Sequence, residues 1–371
     1  MRVLFCRSNP VAPDPRVEKE ARALVEAGYE VQVIAWDRSA VLPSPEAQHG
    51  FQIHRLPIRA EFGHGLGNFP ALLRWQIALA TWLLRHQTSY DIIHACDFDT
   101  IFPALLCKLF FRKKVIYDIF DFYADHLRAT PLIIKSLIRG LDLFIIGLAD
   151  ATILVDESRR AQISGARPKR LVFIYNSPEE VELDVGQIDD SSSFRIVYIG
   201  LLQVERGLLE LLDLVGRHPE WRLDIAGFGG DEEQIRSRVK NLPNAIWHGR
   251  IPYEEALRLS RWADAFIATY DPSIPNHHYS SPNKIFEAMM LAKPVIVAKN
   301  TNMDRIVENW DCGLVVEYGN LVALDQAFTM LANDLALQTR LGRNGRKAYE
   351  MEYSWEQMQE RLWVLYHELT S

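Results

Sequence analysis

The residue types best placed to do chemistry lie in one stretch, Ser281-Pro282-Asn283-Lys284-Ile285-Phe286-Glu287, followed by Ala288 to Ala298. A turn leads into a short helix, and the helix leads into an apolar strand. Ser281 is a capping residue type, and Pro282 suits a first helical turn, where its missing N–H would have been unpaired anyway. The free amides around Asn283 form an anion site, and Lys284 adds a full positive charge at the same end. Glu287 follows one turn later, and helical side chains lean back toward the N-terminus. A carboxylate so placed accepts hydrogen bonds from a ribose diol while the amides hold phosphates. The segment reads as one half of a site for a nucleoside diphosphate.

Short apolar strands alternating with amphipathic helices must position that segment. Val3–Cys6 is the first strand. Arg16 to Ala27 is a helix with Val17, Ala21, Leu24 and Val25 on one face, ended by Gly28, and Glu30–Ala35 is the next strand. This is a βαβ unit, and it predicts a parallel sheet covered on both faces. Further strands are expected at Asp91–Ala95, Lys114–Tyr117, Ala151–Val155 and Leu171–Ile174. A polar run from about Val185 to Phe194 reads as a linker. The alternation then restarts at Arg195–Ile199 and Gly200, with a helix from Gly207 to about Gly216. More strands are expected at Arg222–Ala226, Ala245–His248, Ala265–Ala268, Pro294–Val297 and Gly313–Val316. The pattern predicts an α/β protein of two doubly wound, Rossmann-like domains at 1–185 and 186–355, with a last helix over 356–371. Ligands of such sheets bind beyond the carboxyl ends of the strands, which places the expected site in a cleft between the two domains.

At 371 residues, 48% hydrophobic and 24% charged, the composition is that of a globular protein. The net charge of −7 is unevenly spread: residues 1–178 hold 22 Lys+Arg against 18 Asp+Glu, a balance of +4, leaving 19 against 30, or −11, for the rest. Either this is ordinary solvated surface or the first half faces something anionic, such as a membrane surface or a lipid-phosphate acceptor. Phe69 to Arg85 and the basic stretch Pro131 to Arg139 are amphipathic patterns that either fill core or rest on a bilayer. No run is long and apolar enough for a transmembrane helix. Cys6, Cys96, Cys107 and Cys312 show no paired spacing and are expected to be reduced, which suits a cytoplasmic protein. The N-terminus reads as a strand rather than a signal segment. Basic residues are not interleaved with aromatics along a stripe, so no nucleic-acid partner is expected.

Several short segments resemble the retaining glycosyltransferases of family 4, also called glycosyl transferases group 1, which have the GT-B fold, a resemblance that implies a terminal helix over 356–371 packing back on the first domain. They are Pro13-Asp14-Pro15-Arg16-Val17, Asp91-Ile92-Ile93-His94-Ala95-Cys96-Asp97, Val115-Ile116-Tyr117-Asp118-Ile119-Phe120-Asp121, Tyr175-Asn176-Ser177 and Val197-Tyr198-Ile199-Gly200 followed by Arg206-Gly207. The resemblance implies transfer of a hexose from a nucleotide diphosphate sugar, with UDP-glucose the first expectation, to a glycan or lipid-linked acceptor in polysaccharide biosynthesis. It implies no cofactor and no metal, and a protein in the cytoplasm or at the inner face of the membrane. Displacement at an anomeric carbon needs charge stabilisation on the departing diphosphate more than a strong base. Arg206 matches the family's basic residue for that task, Gly207 opens a helix whose amides face the phosphates, and Lys284 completes the cradle. Glu287 matches the ribose-binding glutamate. Gly200 and Gly227 stand at strand ends where backbone approaches nucleotide, and Arg250 and Ile251 are candidates for base contact.

The chain departs from the family at two places. Tyr279 stands where the first glutamate of the paired motif belongs, with His277, His278 and the amides of Ser280 and Ser281 as substitutes on the sugar side. Phe120 stands where a histidine is usual, leaving Asp121 and Asp118 as the available polar groups near the donor sugar, with Asp121 favoured; in the alternative, Asp118 caps the turn and only Asp121 faces the cleft. His94 and Asp97 end a strand on the acceptor side and read either as site residues or as a structural pair. Asp97-Phe98-Asp99 has a metal-motif spacing in an unsuitable context. Two rivals remain: a GT-B-fold sugar-nucleotide epimerase, and a catalytically degenerate sugar-nucleotide-binding subunit.

Overall fold

In a computed structural model the described residues are 1–61, 68–126, 130–181 and 193–371. The polar linker and the 185/186 boundary expected from sequence fall in 182–192 and lie outside the described residues. The chain divides into two compact units, Met1–Tyr175 with Met358–Ser371, and Asn176–Gln357.

The first unit contains β1 (Arg2–Arg7), α1 (Pro15–Glu26), β2 (Glu30–Asp37), β3 (Glu46–Gln48), β4 (Phe51–Pro57), α2 (Phe69–Arg85), β5 (Ile92–Cys96), α3 (Phe98–Phe111), β6 (Lys114–Ile119), α4 (Tyr123–His126), α5 (Leu132–Leu148), β7 (Ala151–Leu154) and β8 (Leu171–Phe173). Its sheet runs β3-β4-β2-β1-β5-β6-β7-β8. Every pairing is parallel except β3 with β4. Strands β3 and β4 are not expected from sequence, because the inward positions of β4 are Phe51, Ile53 and Arg55. The Arg55 side chain is buried only because its guanidinium donates to the carbonyls of Pro10, Pro43 and Val11 and pairs with Glu46.

The second unit contains β9 (Phe194–Leu201), α6 (Leu208–Val215), β10 (Trp221–Phe228), α7 (Glu232–Val239), β11 (Ala245–Gly249), α8 (Tyr253–Arg261), β12 (Ala265–Ala268), α9 (Pro275–His278), α10 (Asn283–Met290), β13 (Val295–Ala298), α11 (Met303–Trp310), β14 (Gly313–Val316), α12 (Leu321–Asn333) and α13 (Leu335–Ala348). Its six strands are all parallel, in the order β11-β10-β9-β12-β13-β14. The chain leaves β9 in one direction for β10 and β11, then returns to its other side for β12, β13 and β14. The carboxyl end of β9 is therefore the switch point where such sheets place a ligand. The final helix α14 (Trp355–Thr370) runs into the first unit from Met358 onward. There Met358, Leu362, Leu365 and Tyr366 are buried, and the Trp363 indole donates to the carbonyl of Ala23.

Each unit has its own core. Leu4, Ile34, Trp36, Trp75, Ile93, Val115 and Ile145 centre the first, and Ile196, Leu211, Leu223, Ile267, Ile296 and Phe328 the second. All four cysteines are buried and unpaired. Among the described residues no helix is long and apolar enough to cross a membrane.

Candidate functional site

At the switch point of the second unit, two cations meet two aromatic rings. Tyr198 and Gly200 alternate onto the same side of β9. The Lys284 ammonium lies 3.6 Å from the centre of the Tyr198 ring and 5.7 Å from that of Tyr270. Gly200 has φ +146°, and a Cβ there would stand 3.5 Å from the Lys284 Nζ. The absence of a side chain at Gly200 thus keeps the ammonium at a bare strand end. Tyr270 follows β12 directly. Its hydroxyl accepts a 2.6 Å hydrogen bond from Arg206, and its ring lies 4.4 Å below the Arg206 guanidinium. Gln203 accepts a second bond from Arg206 at 3.0 Å. Cation–π contact steers both cations, but it does not replace an anion.

The electrostatics of Lys284 are the outstanding feature of this site. The side chain is 6% exposed, and its ammonium has no hydrogen-bond partner among the described residues. Burial first, then the charge of Arg206, pushes its pKa well below the usual lysine value, against the pull of Glu287. A buried unpaired ammonium is costly, so the arrangement is poised to receive negative charge.

Backbone geometry widens the cradle. Gly207 caps α6 at φ +69°, and a Cβ there would collide with Thr269 at 2.3 Å, so glycine is required where the chain turns from Arg206 into the helix. Asn283 opens α10 on the exposed side. The capping expectation needs correction: Pro282, with ψ 148°, occupies the cap position of α10 and gives its turn no side-chain cap, and the buried Ser281 hydroxyl has no hydrogen-bond partner among the described residues. Glu287 is nearly buried one turn further on. Its carboxylate faces the Tyr253 phenol, whose pKa rises by burial and then by the charge and hydrogen bond of Glu287.

Other expected residues scatter around this centre. Gly227, at φ +147°, pairs in register with Gly200, and a Cβ there would overlap the Gly200 carbonyl. Arg250 is exposed, with its guanidinium 4.6 Å from the centre of the Phe228 ring, and Ile251 follows it. His278 is exposed and meets Tyr279 edge-on at 5.0 Å, whereas His277 is buried and bonds the Asp271 carbonyl at 3.0 Å.

The first unit treats its polar strand ends differently. His94 is fully buried, stacked on Phe5, with its ring nitrogens on the Tyr366 hydroxyl at 2.9 Å and on Asp118 at 3.3 Å. The role suggested for His94 at the acceptor side is therefore not supported; its ring is part of the core. Asp118 does not cap the turn after β6 either. It is fully buried and takes three hydrogen bonds of 3.0–3.2 Å from Arg16. Asp97 does the capping, accepting from the amides of Phe120 at 2.9 Å and Asp121 at 3.4 Å. Burial raises the Asp97 carboxyl to about 6, against the pull of Arg7. Phe120 lies under the guanidinium groups of Arg7 and Arg16 at 4.1 and 4.8 Å. Asp121 is half-exposed but held by Arg159 at 3.0 Å.

Sequence reasoning missed three groups. Tyr198 and Tyr270 stand beside motif positions, and strand alternation toward Gly200 was the signal for the first. Arg16 and Glu20 are the third: their i, i+4 spacing joins them to Asp118 and His94 at 3.0 to 3.6 Å. Ligand atoms of Glu20, His94 and Asp118 lie within 4.8 Å of one another, a spacing that suits a metal ion, but the Arg16 guanidinium already supplies positive charge to both carboxylates.

Residues 12–177 match the family model described as "Glycosyl transferase 4-like domain", and residues 186–348 match "Glycosyl transferases group 1". A GDP-mannose:cellobiosyl-diphosphopolyprenol alpha-mannosyltransferase of Xanthomonas campestris is 24% identical over 91% of this chain and 87% of its own. The capsular polysaccharide biosynthesis glycosyltransferase CapM of Staphylococcus aureus is also 24% identical, but the match spans about half of each chain, 51%. Among solved structures, sucrose-phosphate synthase from Thermosynechococcus elongatus superposes with a TM-score of 0.81 at 18% identity, covering 100% of this chain and 99% of that one. Anabaena HepE in complex with UDP and glucose superposes at 0.73 and 14% identity, covering 99% and 100%. At these identities the structures speak for the fold.

Proposed function

The chain is a GT-B glycosyltransferase of the group 1, GT4-like kind, and from that premise we propose that it moves a hexose, first of all glucose from UDP-glucose, onto a glycan or lipid-linked acceptor in glycan biosynthesis, with retention at the anomeric carbon and without a metal. The observation that carries this reading is the buried, unpartnered ammonium of Lys284 beside Arg206 at the switch point.

Each group has a part. Arg206 and Lys284 neutralise the two phosphates, helped by the amides that open α6 and α10. Their charge matters most as the sugar–phosphate bond lengthens and the diphosphate gains negative charge, so they lower the barrier rather than only binding the ground state. Positive charge from two side chains takes the place that a metal would have. Glu287 accepts from the ribose hydroxyls, while Arg250 and Ile251 flank the base. Departure of the diphosphate and attack of the acceptor hydroxyl occur on the same face of the sugar. Tyr279 and His278 stand in for the missing glutamate on the sugar side. Asp121 receives the acceptor proton once it leaves Arg159.

The HepE structure holds UDP and glucose, which supports the donor choice, whereas the name of the Xanthomonas relative specifies GDP-mannose. The test therefore incubates the protein with labelled UDP-glucose beside labelled GDP-mannose. Slow release or transfer of glucose from UDP-glucose supports the reading. An epimerised donor, or binding of both nucleotides with no turnover, replaces it with one of the two rivals; the Lys284–Arg206 pair favours neither, since departure of the diphosphate is what two cations there assist.

A further inference from the structure

Helix α5 is 17 residues long and apolar over most of them, yet it buries only Asp142, Ile145 and Ile146. Its N-terminal half has little to pack against: Leu132 is 83% exposed, Ile133 75% and Leu137 70%. Two other helices continue the pattern. Leu109 and Phe110 near the end of α3 and Phe69 and Ile77 of α2 all stand in solvent.

These three helices share one face of the sheet. The chain moves in the same direction along the strand order from β4 to β5, β5 to β6 and β6 to β7. Right-handed crossovers then place α2, α3 and α5 together, and α1, whose crossover runs the other way, on the opposite face. Contacts agree: the Trp75 indole of α2 donates to the Asp99 carbonyl of α3, and Lys108 of α3 pairs with Asp150 just beyond α5. Exposed large apolar side chains gathered on three helices of one sheet face differ from the singly scattered apolar residues of an ordinary surface.

Charge selects the occupant. Arg74 and Arg85 of α2 and Arg112 at the end of α3 are exposed, and Lys135 of α5 is partly exposed, on the same three helices as the apolar side chains. The acidic residues of the three helices are Asp99 and Asp142. Asp142 is fully buried on the Tyr117 hydroxyl at 2.8 Å, and Asp99 is not exposed. Apolar side chains on helices that also carry exposed cations and no exposed carboxylate suit a layer of acyl chains beneath anionic headgroups.

We propose that this face of the first unit, led by the N-terminal half of α5, binds the surface of an anionic bilayer. Leu132, Ile133 and Leu137 enter the boundary between headgroups and acyl chains, and Lys135, Arg74 and Arg112 meet the lipid phosphates. The inference rests on no assignment of donor or acceptor, and its readout is binding rather than turnover.

The test mixes the full chain with vesicles of phosphatidylcholine alone or of phosphatidylcholine with phosphatidylglycerol, and measures flotation. The chain is expected to float with the phosphatidylglycerol vesicles and to be released by salt. The double variant Ile133→Asp, Leu137→Asp is expected to bind at least about tenfold more weakly, and Lys135→Glu about fivefold. Leu335→Asp, at a 74% exposed position of the second unit, leaves binding unchanged. An unaltered melting temperature in each variant shows that the fold is intact. The proposal is overturned if the wild type ignores phosphatidylglycerol vesicles, or if the double variant floats as well as the wild type. A wild-type dimer in sedimentation that the double variant turns into a monomer also overturns it, giving the face to a second copy of the chain.

Discussion

The two units share a strand plan but handle charge at their strand ends in opposite ways. In the first, Arg16, Glu20, His94 and Asp118 close on one another and on Tyr366, and Arg7 is shared by Asp14 and Asp97. In the second, Arg206 and Lys284 share the Tyr270 ring, and the ammonium has no hydrogen-bond partner among the described residues. A buried charge met by opposite charge is already compensated, and one left without it is the better place for an anionic ligand. The contrast separates His94 and Asp118, closed on their neighbours in the first unit, from Lys284 in the second.

Removing one partner from each cluster is the strongest way to break the contrast. Asp118→Asn strands Arg16 in the core and is expected to cost about 3–5 kcal/mol of stability, read by denaturant unfolding of the full chain. If activity falls while unfolding is unchanged, the first cluster is not structural. Arg206→Ala is expected to do the reverse, lowering kcat about 10²- to 10³-fold with an unaltered melting temperature. A rate within about threefold of wild type, under roughly 0.7 kcal/mol of barrier, removes Arg206 from the phosphate site.

Lys284→Met sharpens the comparison. Loss of the unpaired ammonium is expected to stabilise the nucleotide-free protein by about 1–3 kcal/mol and to abolish the thermal shift given by UDP. The sign of its pH dependence follows from the depressed folded-state pKa. Between that value and 10.5 the unfolded chain binds more protons, so wild-type stability rises as pH climbs through this window. The variant lacks that rise.

A second pH-dependent effect concerns Glu20. Burial first, with Asp118 and Asp14 adding to it and Arg16 opposing, raises its carboxyl to about 8 from 4.5. The native state therefore holds a proton that the unfolded chain has lost, and this contribution is complete below pH 4.5 and gone once pH passes 8. Unfolding of wild type and Glu20→Gln across that range should show the wild type losing ground as pH rises. A constant difference would mean that Glu20 is ionised beside Arg16 and His94 throughout.

Most of the fold is legible because apolar strands buried on both faces announce themselves. Ala265–Ala268 and Gly313–Val316 are bounded as the sequence suggests, since each is a short apolar run between turns. Phe51–Pro57 is not legible, because a buried arginine interrupts its alternation and only carbonyls distant in sequence satisfy it. The residues we assign to the donor are legible for a related reason: Arg206-Gly207 and Lys284 with Glu287 lie in short local motifs. The aromatic walls are not, because Tyr198 and Tyr270 come together only when β9 and β12 pair. The core role of His94 depends on Tyr366, 272 positions away, which no local pattern contains.

The most direct measurement is calorimetric titration of UDP into wild-type protein in alkaline buffers of different ionisation enthalpy, which counts the protons taken up on binding. The account predicts net proton uptake, as the diphosphate restores the charged form of Lys284, and no such uptake in Lys284→Met. Nucleotide binding of equal strength in both proteins, with no protons exchanged, would contradict it.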